Sequence, residues 1–223
     1  MLREDPAGPC GSPPASRVVD LRGRACGQAF ALRFPPGERL VVSGLPGSGK
    51  STLMRRAAAG RGAVLLDAQD VCETWARRLP GRLPYPLLRP GVRLAHYARL
   101  WRALRRTEGV LGVVVHDCGR NAFVRRWLAA DGRRRGRAYH LLLLDVPPAR
   151  ALAGQARRRR TVPAAVFRRH CAAHARLVAE VSAGRLPPGC ASAVLLDQAA
   201  AAALTELVFA APPSGPRPGD DPV

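Results

Sequence analysis

The stretch Leu40-Val41-Val42-Ser43-Gly44-Leu45-Pro46-Gly47-Ser48-Gly49-Lys50-Ser51-Thr52 is an apolar run that empties into a glycine-rich loop ending in Gly-Lys-Ser. Gly44 and Gly49 stand at the outer glycine positions of the pattern G-x-x-x-x-G-K-[ST], in which backbone N–H groups cradle phosphate. A buried strand must stop abruptly there, and the loop must curl with its N–H groups inward; glycines take those dihedrals and let backbone approach an anion. Lys50 then brings a point charge to the β- and γ-phosphates, and Ser51 offers a hydroxyl to Mg²⁺. The following run, Leu53-Met54-Arg55-Arg56-Ala57-Ala58-Ala59, is a good helix former, and a helix N-terminus favours the anion. Lys50 is the only lysine of the chain, so every other fixed side-chain cation is arginine. Residues 44–52 are therefore expected to bind ATP with Mg²⁺, Ser51 being a metal ligand.

Working outward, the 223 residues suit one α/β domain, and 47% hydrophobic content is ordinary for a globular chain. The net charge of +20 is not ordinary. It admits two readings, a nucleic-acid partner or an arginine-rich usage spread over every segment, and an aromatic share of 5% offers little base-stacking platform. The six cysteines form no C-x-x-C pair and no metal-ligand spacing, as expected of reduced thiols. There is no apolar run of membrane-spanning length and no signal-peptide pattern at the N-terminus, so a cytoplasmic protein without membrane contact is expected. Residues 1–16 and 212–223 are rich in Pro, Gly and Ser and are expected to be disordered tails around a domain at 17–211.

Within that domain, residues 18–21 and 29–32 read as two short strands that pair as an antiparallel element ahead of the nucleotide core. Residues 63–66 read as a second buried strand ending at Asp67, and Val71, Trp75 and Leu79 as one helical face. Residues 80–91 are too rich in proline for regular structure. Leu94, Tyr97, Trp101 and Leu104 repeat at helical spacing as core positions. Residues 110–115 form an apolar strand running into His116-Asp117, and residues 141–144 and 193–196 repeat the form, ending at Asp145 and Asp197. Chain order separates the three acids. In a doubly wound, mostly parallel five-stranded sheet of order 2-3-1-4-5, the third strand lies beside the first, so Asp117 faces the phosphate loop and can hold Mg²⁺. Asp145 is expected to cap the next helix, and His116 to be structural.

Residues 149–155 read as helix, followed by Arg157-Arg158-Arg159-Arg160, and Val162-Pro163 opens a long helix. That helix carries Val166, Phe167, His170, His174, Leu177 and Val181 on one stripe and stops at Gly184. His170 and His174 are four apart without the Glu of H-E-x-x-H, and packing is the preferred role over a metal. The last strand leads into a helix at 198–209. The entry to the loop, Phe34-Pro35-Pro36-Gly37-Glu38-Arg39-Leu40, looks like that of transporter-type ATPases, but the chain has no Leu-Ser-Gly-Gly signature.

Taken together, the loop at 44–52, Asp67 with Asp70, the His116-Asp117 strand end and Leu144-Asp145-Val146-Pro147 followed by arginines and Val162-Pro163 resemble a family. It is the P-loop kinase branch of polynucleotide kinases, zeta toxins and gluconate kinases, loosely grouped with AAA-family ATPases. The resemblance covers residues 40–197. It implies a three-layer P-loop NTPase fold, use of ATP and Mg²⁺, and transfer of the γ-phosphate to a small-molecule or polynucleotide hydroxyl. It also implies an acid after the second strand as base, which points to Asp67 or Asp70. In the family that acid stands in a Ser-Asp-x-x-Arg context, whereas here Gln69 precedes Asp70 and Glu73 stands three residues on. The assignment implied is Lys50 at the phosphates, Asp67 as base, Asp117 as metal-side carboxylate, and Arg157 and Arg160 within an arginine clamp. Two other functions fit the same residues: an ATPase or ATP-dependent switch with no acceptor, and a basic nucleic-acid-binding protein regulated by ATP.

Overall fold

A computed structural model describes residues 17–23, 28–58, 62–67, 85–105, 111–117, 122–157 and 162–210. Element order along the chain is β1 (Val18–Asp20), β2 (Phe30–Phe34), β3 (Arg39–Gly44), α1 (Lys50–Ala58), β4 (Ala63–Leu66), α2 (Tyr85–Arg105), β5 (Gly112–Asp117), α3 (Ala122–Arg135) and β6 (Tyr139–Leu144). It continues with α4 (Pro148–Arg157), α5 (Ala164–Ser182), β7 (Cys190–Leu196), α6 (Gln198–Ala203) and β8 (Leu204–Phe209).

Every residue of β3 is buried, because it is covered on both faces and flanked by β5 and β6, all parallel. Strands wrapped this way need continuous apolar runs, which is how β3, β5 and β6 read. The sheet order is β1-β7-β6-β3-β5-β4. Its five core strands follow the expected 2-3-1-4-5 order, and β1 adds a sixth. Helices α1 and α6 share one face with Leu40, Val42 and Val114, while α2, α3 and α5 cover the other with Val41, Val113 and Val115. The alternation of Val41 and Val42 between the two cores is the period-2 pleat of a strand.

Four expectations are corrected. The N-terminal strands do not form an antiparallel pair. β1 joins β7 in parallel, Val18 opposite Ala193, and β2 joins β8 in parallel, Phe34 opposite Phe209. On the β7 edge Val18 packs into one core and Val19 into the other, which a two-stranded hairpin cannot provide. The helix expected at 198–209 ends at Ala203, and Leu204–Phe209 is strand β8, which carries Leu207 and Phe209 into the core beside Phe34. Asp197 caps the short helix, accepting from the Ala200 N–H at 2.8 Å. The proline-rich stretch is helical from Tyr85 onward: Pro86 lies in the first turn, where a missing N–H has no intrahelical acceptor, whereas Pro90 lies beyond it and the helix continues through it. On that helix Leu104 is buried as expected and Tyr97 is half-buried, but Trp101 is 46% exposed, with the Arg105 guanidinium 4.0 Å from its ring centroid, and the buried position beside it is Leu100. Val71, Trp75 and Leu79 and the two proposed tails lie outside the described residues.

Helix α5 buries Phe167, His170, His174, Leu177 and Val181, the expected stripe. It ends with Gly184 at φ +77°, a left-handed stop that only glycine adopts without strain. No helix among the described residues is long and apolar enough to cross a membrane.

Burial of His140 on β6 has a pH consequence. Its Nδ1 lies 2.8 Å from Ser192 Oγ, and desolvation lowers its pKa from 6.5 to about 4. The unfolded chain therefore takes up a proton near pH 6.5 that the folded chain refuses until about pH 4. Stability present above pH 6.5 should be lost across that window, by about 3 kcal/mol from this ring alone. Urea denaturation between pH 7 and pH 4 should show a distinctly shallower loss for His140→Gln than for the wild type.

Candidate active site

The phosphate loop occupies the carboxyl edge of the sheet, between β3 and α1. Gly47 and Gly49 have φ of +88° and +99°, which explains why the loop needs glycine at both. At Gly44 the constraint is space: a Cβ would stand 2.8 Å from the Leu144 carbonyl oxygen. Lys50 is 3% exposed, and its Nζ donates to the carbonyls of Gly44 at 2.8 Å and Leu45 at 2.7 Å. The ammonium is thus drawn across its own loop. Ser51 is buried on the first turn of α1, and Thr52 next to it is exposed.

The loop is packed from outside by α4. Leu45 joins Ala151 and Phe167 in a small cluster of its own, with Val162 and Cys171 against it. Gln155 of α4 donates from Nε2 to the Pro46 carbonyl at 3.0 Å.

Asp117 ends β5 in register with Ser43, the residue before the loop, while β6, whose Leu144 stands opposite Gly44, flanks β3 on its other side, so adjacency to the first strand does not by itself separate Asp117 from Asp145. Its Oδ2 accepts from Arg125 Nη1 of α3 at 2.6 Å, whereas Oδ1 is buried with no hydrogen-bond partner. A hydroxyl at Ser51 and an uncommitted carboxylate oxygen at Asp117 are hard oxygen donors of the kind Mg²⁺ takes, and this donor set fits that ion.

Asp67 follows β4 and is buried, 3.7 Å from His116 Nδ1. It stands one strand further from the loop than Asp117, because β5 lies between β4 and β3. Arg157 is the exposed last residue of α4. Asp70 and Arg160 lie outside the described residues.

Asp145 is not at a capping position. The helix begins at Pro148, and Pro147 fills the place before it, its carbonyl accepting from the Ala151 N–H at 3.1 Å. The Asp145 carboxylate instead pairs with Arg22 at 2.7 Å and lies 3.9 Å from His174 Nε2. His174 is buried with neither ring nitrogen hydrogen-bonded, and desolvation lowers its pKa while Asp145 pulls it back up. Among the described residues there is no group of three or more His, Cys, Asp or Glu that could hold a metal, and His170 and His174 are both buried on the α5 stripe.

Arg125 and Gln155 carried no signal in the sequence. Arg125 is one arginine among many, eight residues from its carboxylate, and Gln155 is 109 residues from the carbonyl it bonds.

A glycine loop between a buried parallel strand and a helix, with Lys50 drawn across it and a carboxylate at the end of the neighbouring strand, defines a P-loop nucleoside-triphosphate-binding enzyme. A family model described as AAA domain matches residues 40–177, and the chain belongs to that family. It is 32% identical over 137 residues to the cytochrome c biogenesis ATP-binding export protein CcmA of Hyphomonas neptunium, covering 60% of this chain and 68% of that protein. Among solved structures it is similar to a gluconokinase from Sinorhizobium meliloti, at 19% identity and a TM-score of 0.47, covering 77% of this chain and 93% of that one. It is similar also to a putative kinase from Chloroflexus aurantiacus, at 14% identity and a TM-score of 0.49, covering 74% and 87% of the two chains.

The Asp117–Arg125 pair yields a stability prediction. Arg125→Ala leaves a buried carboxylate without its cation and should destabilise the fold by about 3–5 kcal/mol. In urea titrations the double variant Asp117→Ala/Arg125→Ala should lose less than the sum of the two single variants, the mark of a direct interaction.

Proposed function

We propose that the protein is a kinase that moves the γ-phosphate of ATP to a hydroxyl of a small molecule or polynucleotide. The observation that carries this reading is the convergence on one sheet edge of Lys50, Ser51 and a half-committed Asp117, with a second buried acid, Asp67, one strand further out. Phosphoryl transfer asks a protein mainly for positioning and charge neutralisation. Lys50 supplies the fixed charge at the β- and γ-phosphates by exchanging its two loop carbonyls for phosphate oxygens. Mg²⁺ held by Ser51 and the free oxygen of Asp117 would add charge neutralisation on the same phosphates.

Asp67 is assigned the acceptor side. The acceptor oxygen bonds to the γ-phosphorus as the bond to the β–γ bridging oxygen breaks, ADP departs, and the acceptor proton passes to the Asp67 carboxylate. His116, 3.7 Å away, orients that carboxylate. Asp70 remains the alternative base. Arg157 and Arg160 are assigned to clamp the transferring group. This rests on α4 being docked against the loop, since Arg157 is its last residue.

A second reading, binding of a polyanion, is favoured by one feature. Arg133, Arg134, Arg135 and Arg137 are all exposed where α3 ends and β6 begins, at the sheet edge opposite the loop. Binding of RNA or DNA that weakens steeply with salt would support it, because phosphate contacts release counterions.

Millimolar Mg-ATP should raise the melting temperature of the wild type by mass action and leave that of Lys50→Ala unmoved. With labelled ATP, label should reach an acceptor other than water; label found only in inorganic phosphate would make the protein an ATPase. Asp67→Asn should lower turnover by about a hundredfold or more while leaving ATP affinity nearly unchanged, whereas Asp117→Asn should weaken Mg-ATP binding as well.

A further inference from the structure

The seam between α4 and the phosphate loop is tighter than helix packing alone requires. A Cβ at Gly47 would come within 2.2 Å of the Ala151 carbonyl oxygen, and one at Gly154 within 2.2 Å of the Gly47 carbonyl oxygen. Two glycines facing one another therefore let helix backbone touch loop backbone, and neither position has room for a methyl group.

Gln155 fills this seam at 5% exposure and uses both ends of its amide. Nε2 donates to the Pro46 carbonyl at 3.0 Å, and Oε1 accepts from the Val162 N–H at 2.9 Å. The peptide unit joining Pro46 to Gly47 is planar and trans, so its C=O and N–H point in opposite directions. With the carbonyl fixed toward α4, the Gly47 N–H must point away from α4, to the side on which an anion is cradled. Without that hydrogen bond this peptide can rotate, because Gly47 itself resists little.

We propose that Gln155 is a positioning residue for nucleotide binding, holding the Pro46–Gly47 peptide with its N–H turned toward the phosphates. The proposal rests on the loop being the nucleotide site. Its physical content is preorganisation: a loop already held in the bound geometry loses less freedom when the ligand arrives. The same side chain ties the loop to Val162, just ahead of α5, so ordering of the loop and ordering of that junction are one event.

Isothermal titration with Mg-ADP and Mg-ATP tests this on the wild type, Lys50→Ala and Gln155→Met, the last keeping side-chain length while removing both polar groups. Gln155→Met should bind both nucleotides about tenfold more weakly than the wild type, from the lost loop hydrogen bond and its preorganisation. If Lys50→Ala binds like the wild type, the nucleotide site itself is misassigned. If Lys50→Ala fails to bind while Gln155→Met binds within about twofold of the wild type, far less than a lost buried hydrogen bond predicts, the positioning role is overturned.

A measurement on the wild type guards against a variant that does not fold. Saturating Mg-ADP should slow hydrogen exchange at the Val162 amide by about tenfold or more, since its acceptor is fixed to the loop. An unchanged Val162 rate on nucleotide binding overturns the coupling, and with it the proposal.

Discussion

A phosphate cradle must present backbone N–H groups to an anion and still hold its shape when no anion is there. Such a loop cannot satisfy itself the way a helix or strand does, so its remaining polar groups must be tied down from outside. In this protein the tie-points are few and identifiable. Lys50 takes the carbonyls of Gly44 and Leu45, Gln155 takes that of Pro46, and the Leu45 side chain is buried against Ala151 and Phe167. Strand β3 delivers the loop from the middle of the sheet, where it is hydrogen-bonded on both edges by β5 and β6. The sheet order, the docking of α4 and the glycines at 47 and 154 all serve this one loop.

The same edge explains the placement of charge. The few cations taken out of water have defined partners. Arg125 is paired with Asp117, and Arg39 with Asp131 at 2.6 Å. Burial lowers the Arg39 pKa, and Asp131 works against that shift, so the pair is held together by mutual need more than by net gain. Most described arginines are instead exposed, and several lie in the last turns of helices, Arg102 and Arg105 on α2 and Arg133 to Arg135 on α3. Cations there complement the carbonyl end of the helix dipole. In a parallel sheet with helical crossovers those helix ends collect at the edge opposite the loop. Part of the +20 charge thus has a local structural role before any partner is considered.

Much of the fold was legible because its signals are local. The run from Leu40 to Thr52 announces strand, loop and helix within thirteen residues, and four further apolar runs give the remaining core strands. Chain order in a doubly wound sheet sets Asp117 apart from Asp197 but not from Asp145, because the third and the fourth strands both lie beside the first. The stripe on α5 and its stop at Gly184 follow from the 3.6-residue period and from the one residue that accepts a left-handed dihedral.

What the sequence could not decide depends on partners distant along the chain. Val18-Val19 has the same pattern whether it closes a hairpin with residues 30–34 or adds to the β7 edge. Only the two cores waiting at that edge settle the choice. Leu204–Phe209 could extend a helix until β2 offers it a strand to pair with. Arg125 and Gln155 look like ordinary surface residues of amphipathic helices until the fold brings one to Asp117 and the other to Pro46. The sequence by itself determined the class of ligand and the central strand order, because phosphate recognition is built from contiguous backbone. Tertiary structure alone decided the edge strands and the side chains that brace the loop, because those contacts join residues up to 175 positions apart that share no local pattern.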